Sequence, residues 1–591
     1  MENENYKLLN LISKNSNVSK EDLVKLLKLV EQTSKEDLLK LCQNIKLDLL
    51  FNHINETSDI DDRTQIIQDI LKGFLTKIDK NLLIYENIIC DGINAKVSWI
   101  RKLYLDYINV LSITEDQSIQ LYSYDKLMKT LIKTLEDDDT DIAQLTLEIF
   151  KNLFQSPDNL KVFNSLTNTP LLEYIIRLMD NGNTNIKLRG YELIIQMAKI
   201  STQTLNDCES KNLIMPLIEC LPGCIPLKNI KDNHDVLTQA TVLELIGDLF
   251  AKKSEVCGIV IKYLDNKNIF NKLLNYVFEN KMLIYPTDNI NQNIIIDIDL
   301  SLKFLILPGI MRFFAKALDC VPEYYEKWEI LFNAVFSELS SNENNSLNGD
   351  DENCITIAAC LDFLYNITPN RRIKENLIQN MLFPNALKTI VKIYMGAIGT
   401  SFLRIRAINT LANLLKSEPK KDIVDGQTDH NMIPFNWYHI ILKYANEFGS
   451  AEQSLSQLES AVFYNRVLVM VASPIDEERV AILELLLAIA KSLPWGPIAL
   501  ISQSPPQITA YLLYRGGISP KNNNPSLNLN INLNKKDKEL KYEILQSVAS
   551  DRDFYKKFPG PLAIKIKTFM KEGPYYIETI SQSQTAETIS F

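Results

Sequence analysis

The sequence predicts an all-α protein built as a solenoid of repeated helices. Three observations support this prediction. Apolar residues recur at helical spacing along most of the chain, one helical pattern repeats at an offset of about 44 residues, and sustained strand alternation is absent. The 591 residues exceed what one compact core holds, and a stacked repeat array accounts for that length.

An N-terminal helix of the array is predicted from an apolar stripe. Leu23, Leu26, Leu27 and Val30 follow the spacing i, i+3, i+4, i+7, which places them on one face of a helix. The preceding segment Ser19-Lys-Glu-Asp22 is typical of a capping box, with Asp in the usual place of Glu or Gln. Similar stripes, joined by short polar turns, continue along the chain.

An internal repeat identifies the type of solenoid. The segment Asp141–Leu153 aligns with Asn185–Met197, and the apolar positions of the two segments agree. Thr146 aligns with Gly190, where a small residue would let neighbouring helices approach closely. The offset lies in the range of armadillo and HEAT repeats, so the prediction is an armadillo/HEAT-like α-solenoid superhelix. Later copies of the template have core positions at Ile246, Leu364, Leu411 and Leu486.

Two columns of polar residues run through the aligned repeats, four residues apart within each helix and therefore on one face. We interpret them as a protein-binding surface whose acidic character attracts a basic partner. The alternative is the solvated face of amphipathic helices. The first column contains Glu148, Glu192, Glu244, Asp362, Asn409 and Glu484, and the second contains Asn152, Gln196, Asp248, Asn366 and Asn413. In the second column, Asn152, Asn366 and Asn413 resemble the groove-lining asparagine of armadillo repeats.

Composition shifts predict the domain organisation. Asn-, Ser- and Asp-rich stretches are typical of loops and low-complexity insertions. The predicted arrangement is a repeat array over 1–519 with flexible loops near 340–353 and 422–434, an Asn-rich loop over 520–534, a C-terminal helical cap over 535–576 and a flexible tail over 577–591.

The sequence offers no catalytic, cofactor-binding or metal-binding motif. Nucleotide-binding glycine motifs and the nucleophile elbow Gly-x-Ser-x-Gly are absent, and the chain has only 4 histidines. We therefore expect no enzyme activity, no cofactor and no metal. A formal net charge of -10 argues against a general nucleic-acid binder, because phosphate binding needs a positive field.

Two further expectations concern localisation. No apolar run reaches the roughly 18 residues that a membrane span needs, so no membrane is expected as a partner. The N-terminal segment Met1–Asn5 is acidic and polar, unlike a signal peptide. We expect a cytoplasmic protein that is also nuclear, and a monomer when free.

The C-terminal third carries more specific motifs. Ser492-Leu-Pro-Trp-Gly496, Tyr511–Tyr514, Glu539–Leu545 and Lys571–Ile577 occur in this order. Together they resemble the C-terminal region of the family of non-ATPase regulatory subunit 5 of the 26S proteasome. We interpret the first and last motifs as structural, a turn that ends a repeat helix and a cap on the last repeat. Their residues are Pro494, Trp495, Gly496, Gly573, Pro574, Tyr575 and Tyr576.

The resemblance implies a dedicated assembly chaperone without catalytic activity. Members of that family bind the C-terminal domain of an ATPase subunit, regulatory subunit 7. They hold it in a precursor with regulatory subunit 4 and non-ATPase subunit 2, and they leave before the mature 26S proteasome forms. The alternative is a generic armadillo-type protein-binding adaptor. Such an adaptor should show Trp–Asn pairs along its groove, and no tryptophan accompanies Asn152, Asn366 or Asn413.

Overall fold

The computed structural model describes most of the chain, and the described part contains helices and turns but no strand. This confirms the all-α prediction. The described residues are 19–34, 62–77, 86–113, 121–156, 158–167, 170–224, 236–250, 256–283, 302–341, 352–416, 432–448, 461–493, 496–502, 506–514, 533–551, 554–557 and 560–576.

The chain divides into two compact units, Met1–Lys262 and Tyr263–Phe591, a boundary that the sequence analysis did not place. The described helices of the first unit are α1 (Lys20–Gln32), α2 (Asp62–Lys77), α3 (Glu86–Ile93), α4 (Ser98–Ile113), α5 (Asp125–Thr134), α6 (Thr140–Gln155), α7 (Asn159–Thr167), α8 (Leu171–Met179), α9 (Thr184–Ala198), α10 (Thr202–Ser210), α11 (Met215–Glu219) and α12 (Val236–Gly247). The helix α13 (Cys257–Asn266) contains the boundary.

Helices of the first unit stack in two rows. One row consists of α4, α6, α9 and α12, each packed on the next, and we call it the column row because it carries the predicted polar columns. The second row, here the opposite row, consists of α3, α5 and α8. Each opposite-row helix also packs on the column-row helix that follows it in sequence. This pairing of successive helices is the arrangement of an α-solenoid.

Gly190 has the packing role that its small size predicted. A Cβ atom added to Gly190 would lie 3.1 Å from Leu178 Cβ and 3.2 Å from Met179 N. Glycine therefore lets α9 approach the backbone of α8 closely. Thr146, at the equivalent position of α6, is fully buried, and its hydroxyl donates to Ile142 O within its own helix.

Ser19 caps the first described helix, as the sequence predicted. Its side-chain oxygen accepts a hydrogen bond from Asp22 N at 3.2 Å. The apolar stripe behind this cap faces inward, with Leu23, Leu26 and Val30 all buried. The similar sequence pattern Ser34-Lys-Glu-Asp37 continues outside the described residues after Ser34.

The second unit repeats the two-row arrangement. Its described helices are α14 (Ile269–Glu279), α15 (Leu307–Cys320), α16 (Glu329–Ser341), α17 (Glu352–Ile367), α18 (Arg371–Gln379), α19 (Phe383–Met395), α20 (Ser401–Leu415), α21 (Met432–Phe448), α22 (Ala461–Val471), α23 (Asp476–Ser492), α24 (Gly496–Ser502), α25 (Pro506–Leu513), α26 (Lys535–Ser550), α27 (Phe554–Lys557) and α28 (Pro561–Glu572). The column row of this unit is α15, α17, α20, α23 and α26. Helices α16, α19 and α21 stack beside it.

Helix ends fall inside two of the predicted loops. Ser340 and Ser341 end α16, and α17 begins at Glu352, so only the middle of the loop 340–353 lies outside the described residues. Helix α21 begins at Met432, within the predicted loop 422–434. The predicted C-terminal segment 535–576 contains α26, α27 and α28, whereas the tail 577–591 lies outside the described residues.

Candidate protein-binding surface

The acidic column of the first unit lies on three consecutive helices of the column row. Glu148 is on α6, Glu192 on α9 and Glu244 on α12. Glu148 and Glu244 are exposed, and Glu192 is half-buried. Because adjacent column-row helices pack together, the repeat spacing in the sequence does bring these carboxylates onto neighbouring helices.

Cations of the preceding repeat neutralise part of this acidic column. Lys151 Nζ on α6 lies 2.6 Å from Glu192 Oε1 on α9. Lys199 Nζ, at the end of α9, lies 3.6 Å from Asp248 Oδ2, just beyond α12. Both columns therefore contain ion pairs between adjacent helices, and they also form an exposed surface. Within the described part of the chain, Glu148 makes no such pair.

The second column of the first unit also connects neighbouring repeats. Asn152 Nδ2 on α6 donates to Asn109 Oδ1 at 2.8 Å and to Ser112 Oγ at 3.1 Å, both on α4. Gln196, half-buried on α9, and Asp248, exposed after α12, continue the column. The amide of Asn152 is thus engaged by the protein itself, which gives it a structural role.

In the second unit the two columns lie on α17 and α20. Asp362 on α17 pairs with Arg406 Nε on α20 at 3.0 Å. Burial raises the pKa of Asp362, although the Arg406 charge opposes the increase. Asn366 is exposed and donates to Asp362 O within its own helix, while Asn409 is half-buried. The Asp362–Arg406 pair thus joins adjacent column-row helices.

Asn413 differs from the other amides because it is buried, with 4% of its surface exposed. Its Nδ2 donates to Tyr365 O on α17 at 2.9 Å. The bond satisfies a backbone carbonyl near the end of α17 and fixes α20 against it. A partner would reach Asn366 more easily than Asn413, although the sequence pattern treats the two as equivalent.

The sequence reasoning missed the residues that complete this surface. The cations Lys151, Lys199 and Arg406 occupy positions that are not equivalent in the repeat alignment, so they form no column in the sequence. Phe402 on α20 was missed as well. Its ring is 50% exposed and the Arg406 guanidinium carbon lies 3.7 Å from the ring centroid. An exposed aromatic ring beside an arginine is a frequent composition of binding hot spots.

The glycines of the first and last C-terminal motifs have backbone roles. A Cβ atom on Gly496 would lie 2.0 Å from Ile489 O, so only glycine lets α24 begin there. Gly573 ends α28 with φ +84°. Pro574 follows it, and Pro494 and Trp495 lie outside the described residues.

One tyrosine of the last motif contacts α26. Tyr575 OH donates to Glu539 Oε1, and this hydrogen bond raises the pKa of Tyr575. Both rings remain accessible, Tyr575 at 51% and Tyr576 at 42% exposure. The packing of the tyrosines on the final helix stays a prediction, whereas the observed contact of Tyr575 is with α26.

In the described ranges, no three His, Cys, Asp or Glu side chains lie close enough to hold a metal ion together. Among the helices given above, none combines the length and the apolar character that crossing a membrane requires.

Comparison with known proteins gives full-length matches. The sequence profile of the family described as "Proteasome non-ATPase 26S subunit" matches residues 1–589. The chain is 21% identical over 568 residues to the 26S proteasome non-ATPase regulatory subunit 5 of Bos taurus, with 95% of each chain covered. Identity and coverage are the same for the Homo sapiens protein of that name. Among solved structures, Kap121p matches with a TM-score of 0.41 and 12% identity, covering 96% of this chain and 51% of that chain.

Proposed function

The chain belongs to the family of proteasome non-ATPase 26S subunits, and from that premise we propose that it is an assembly chaperone for the base of the 26S proteasome regulatory particle. The observation that carries this proposal is the match to non-ATPase regulatory subunit 5 over 95% of both chains. Because the match extends over 95% of both chains, it includes the whole repeat array and is not limited to one helical segment.

The proposed client is the C-terminal domain of an ATPase subunit, regulatory subunit 7. The chaperone holds it in a precursor with regulatory subunit 4 and non-ATPase subunit 2, and it is released before the mature 26S proteasome forms. The protein does this by binding alone, without catalysis, as a monomer when free, in the cytoplasm and nucleus. A solenoid supports such a role because its stacked helices offer a long surface to a folded client.

We place the client on the column row. Ion pairs such as Lys151–Glu192 and Asp362–Arg406 connect adjacent helices and hold the polar face in a fixed arrangement. Exposed carboxylates such as Glu148 remain at its edge for a basic client surface. A polar, partly hydrated interface favours fast and reversible association, which suits a chaperone that must leave.

The first experiment is affinity purification of the tagged full chain from the cells in which it occurs, followed by mass spectrometry. Recovery of regulatory subunits 7 and 4 with non-ATPase subunit 2, but little proteolytic core, is the expected result. Recovery of transport factors instead would favour the generic armadillo-type adaptor. Recovery of complete 26S particles in amounts equal to those of the precursor subunits would refute release before maturation.

A charge-reversal variant tests the binding face. Glu148→Lys combined with Glu244→Lys should weaken client binding about three- to tenfold, because it places cations opposite a basic client. The matched control is Glu209→Lys with Glu279→Lys, which changes the net charge equally at exposed positions of α10 and α14. Equal binding by both variants would show that the client sits elsewhere, while the chaperone role would still be tested by the purification.

A further inference from the structure

A cluster of cations surrounds one tyrosine on the opposite row of the first unit. Lys129 Nζ lies 5.0 Å and Lys133 Nζ 5.9 Å from the ring centroid of Tyr174, and Arg177 Cζ lies 5.5 Å from it. The lysines are on α5, and Tyr174 and Arg177 are on α8. We call these four residues the Tyr174 cluster.

The cluster points away from the core. On α5, Met128, Leu131 and Ile132 are buried, whereas Lys129 and Lys133 are exposed. Arg177 is exposed and Tyr174 is half-buried. The cluster therefore belongs to the solvent-facing side of the opposite row, and it shares no helix with the polar columns.

The three cations have no counter-ion in the described part of the chain. Arg177 lies four residues after Glu173 and three before Asp180, yet it forms an ion pair with neither. Lys129 likewise lies four residues after Asp125 without pairing to it. Elsewhere on this unit, exposed lysines do find carboxylates, as Lys161 does with Asp158 at 2.6 Å.

Unpaired like charges at this spacing repel one another, and an anionic ligand would relieve the repulsion. The hydrogen bond of Lys129 and then the charges of Lys129, Lys133 and Arg177 lower the pKa of Tyr174. The direction of that shift agrees with a locally positive potential. This positive potential contrasts with the formal net charge of -10 of the whole chain.

We propose that the Tyr174 cluster is a docking site for an acidic segment of a protein partner. Carboxylates of the segment pair with Lys129 and Lys133 and with the planar guanidinium of Arg177. The ring of Tyr174 lies under the methylene groups of the bound side chains. This site is independent of the client surface on the column row and does not rest on the chaperone assignment.

A short acidic peptide fits this site better than a nucleic acid does. The cluster supplies three positive charges on two adjacent helices, which suffices for a few carboxylates. A long polyanion would also meet the negative field of the whole chain, which opposes its association.

The test is fluorescence anisotropy of a labelled oligoglutamate peptide with the full chain at low and at physiological salt. The triple variant Lys129→Glu, Lys133→Glu, Arg177→Glu should bind about tenfold more weakly than the wild type. The unmodified protein should also lose affinity as salt rises, because these charges are exposed. Tyr174→Ala should weaken binding less than the triple variant.

The matched control reverses three exposed lysines that lie on separate helices, Lys262→Glu, Lys272→Glu and Lys565→Glu. It changes the net charge equally and should keep most of the wild-type affinity. Equal loss in both triple variants would overturn the proposal, because binding would then follow net charge alone. Tighter binding of single-stranded DNA than of the peptide, with the same dependence on the three cations, would overturn it as well.

Discussion

Removal of the buried carboxylate of Asp537 should open the contact between α23 and α26. Asp537 is fully buried, and its Oδ2 lies 3.2 Å from Nη2 of Arg479, whose side chain is 2% exposed. The same oxygen accepts Asn534 N at 3.2 Å in the capping box that begins α26. Asp537→Ala therefore removes one of the two hydrogen bonds of the capping box and also leaves a buried guanidinium with less compensation.

The cost follows from this geometry. Breaking a buried ion pair from one side costs about 3–5 kcal/mol, because the remaining charge stays desolvated. Arg479 keeps its bond to Ser473 O at 2.8 Å and its contact with Asp476, a mainly exposed carboxylate. These contacts place the expected loss near the lower end of that range. The double variant Arg479→Leu, Asp537→Leu should be less destabilised than Asp537→Ala, because no charge is stranded.

Hydrogen–deuterium exchange of the full chain is the appropriate assay, because a chain of two units need not unfold in one step. Amides of α23 and α26 should exchange much faster in Asp537→Ala, and those of the first unit should not change. Glu543→Ala is the control. It breaks the exposed pair between Lys491 Nζ and Glu543 Oε2, 2.7 Å apart on the same two helices, at a cost of about 0–1 kcal/mol. Equal exchange in the two single variants would refute the reasoning.

Three further predictions concern the second unit. Burial opposes the ionisation of Glu478, but hydrogen bonds from Ser401, Ser473 and Arg404 outweigh it and lower its pKa. Ionised Glu478 therefore stabilises the fold above its ordinary pKa of 4.5, and this stabilisation is lost as pH falls below that value. Glu478→Gln should reduce the dependence of the melting temperature on pH in the acid range. Gly496→Ala should destabilise the unit by about 1–3 kcal/mol in calorimetry, since its Cβ cannot fit. Trp328→Ala, which empties a site in ring contact with Phe270 and Phe314, should cost about 3–5 kcal/mol by the same measurement.

The repeat could be predicted from the sequence because its packing depends on local side-chain size and polarity. Ile142 and Ile186 are buried as aligned, and Gly190 has the close backbone contact that its position implied. The end of α16 could not be predicted in this way. Ser340 looks like loop composition, but its hydroxyl donates to Phe336 O within the helix. The boundary at Lys262 has no local signal either, since it depends on contacts between distant segments.

The position of the candidate surface could be predicted from the sequence, whereas the availability of its charges could not. Aligned repeats place Glu148 and Glu192 on neighbouring helices, which the sequence shows directly. Whether an acidic residue is available to a partner depends on the cations near it. Lys151 pairs with Glu192, but the aligned position of the next repeat carries no cation. The Tyr174 cluster was missed for a similar reason. Its members come from two helices and have no common spacing in the chain.

The two rows of the first unit therefore treat their charges differently. On the column row, Lys151 and Lys199 form ion pairs with Glu192 and Asp248 on the neighbouring repeat. These two carboxylates are therefore already paired within the protein. On the opposite row, Lys129 and Arg177 remain without a carboxylate in the described part of the chain. Exposed pairs contribute little to stability, whereas uncompensated charges raise the association rate of an oppositely charged partner. The physical consequence is one row whose cations are partly paired with carboxylates of the protein and another whose cations remain available for an acidic ligand.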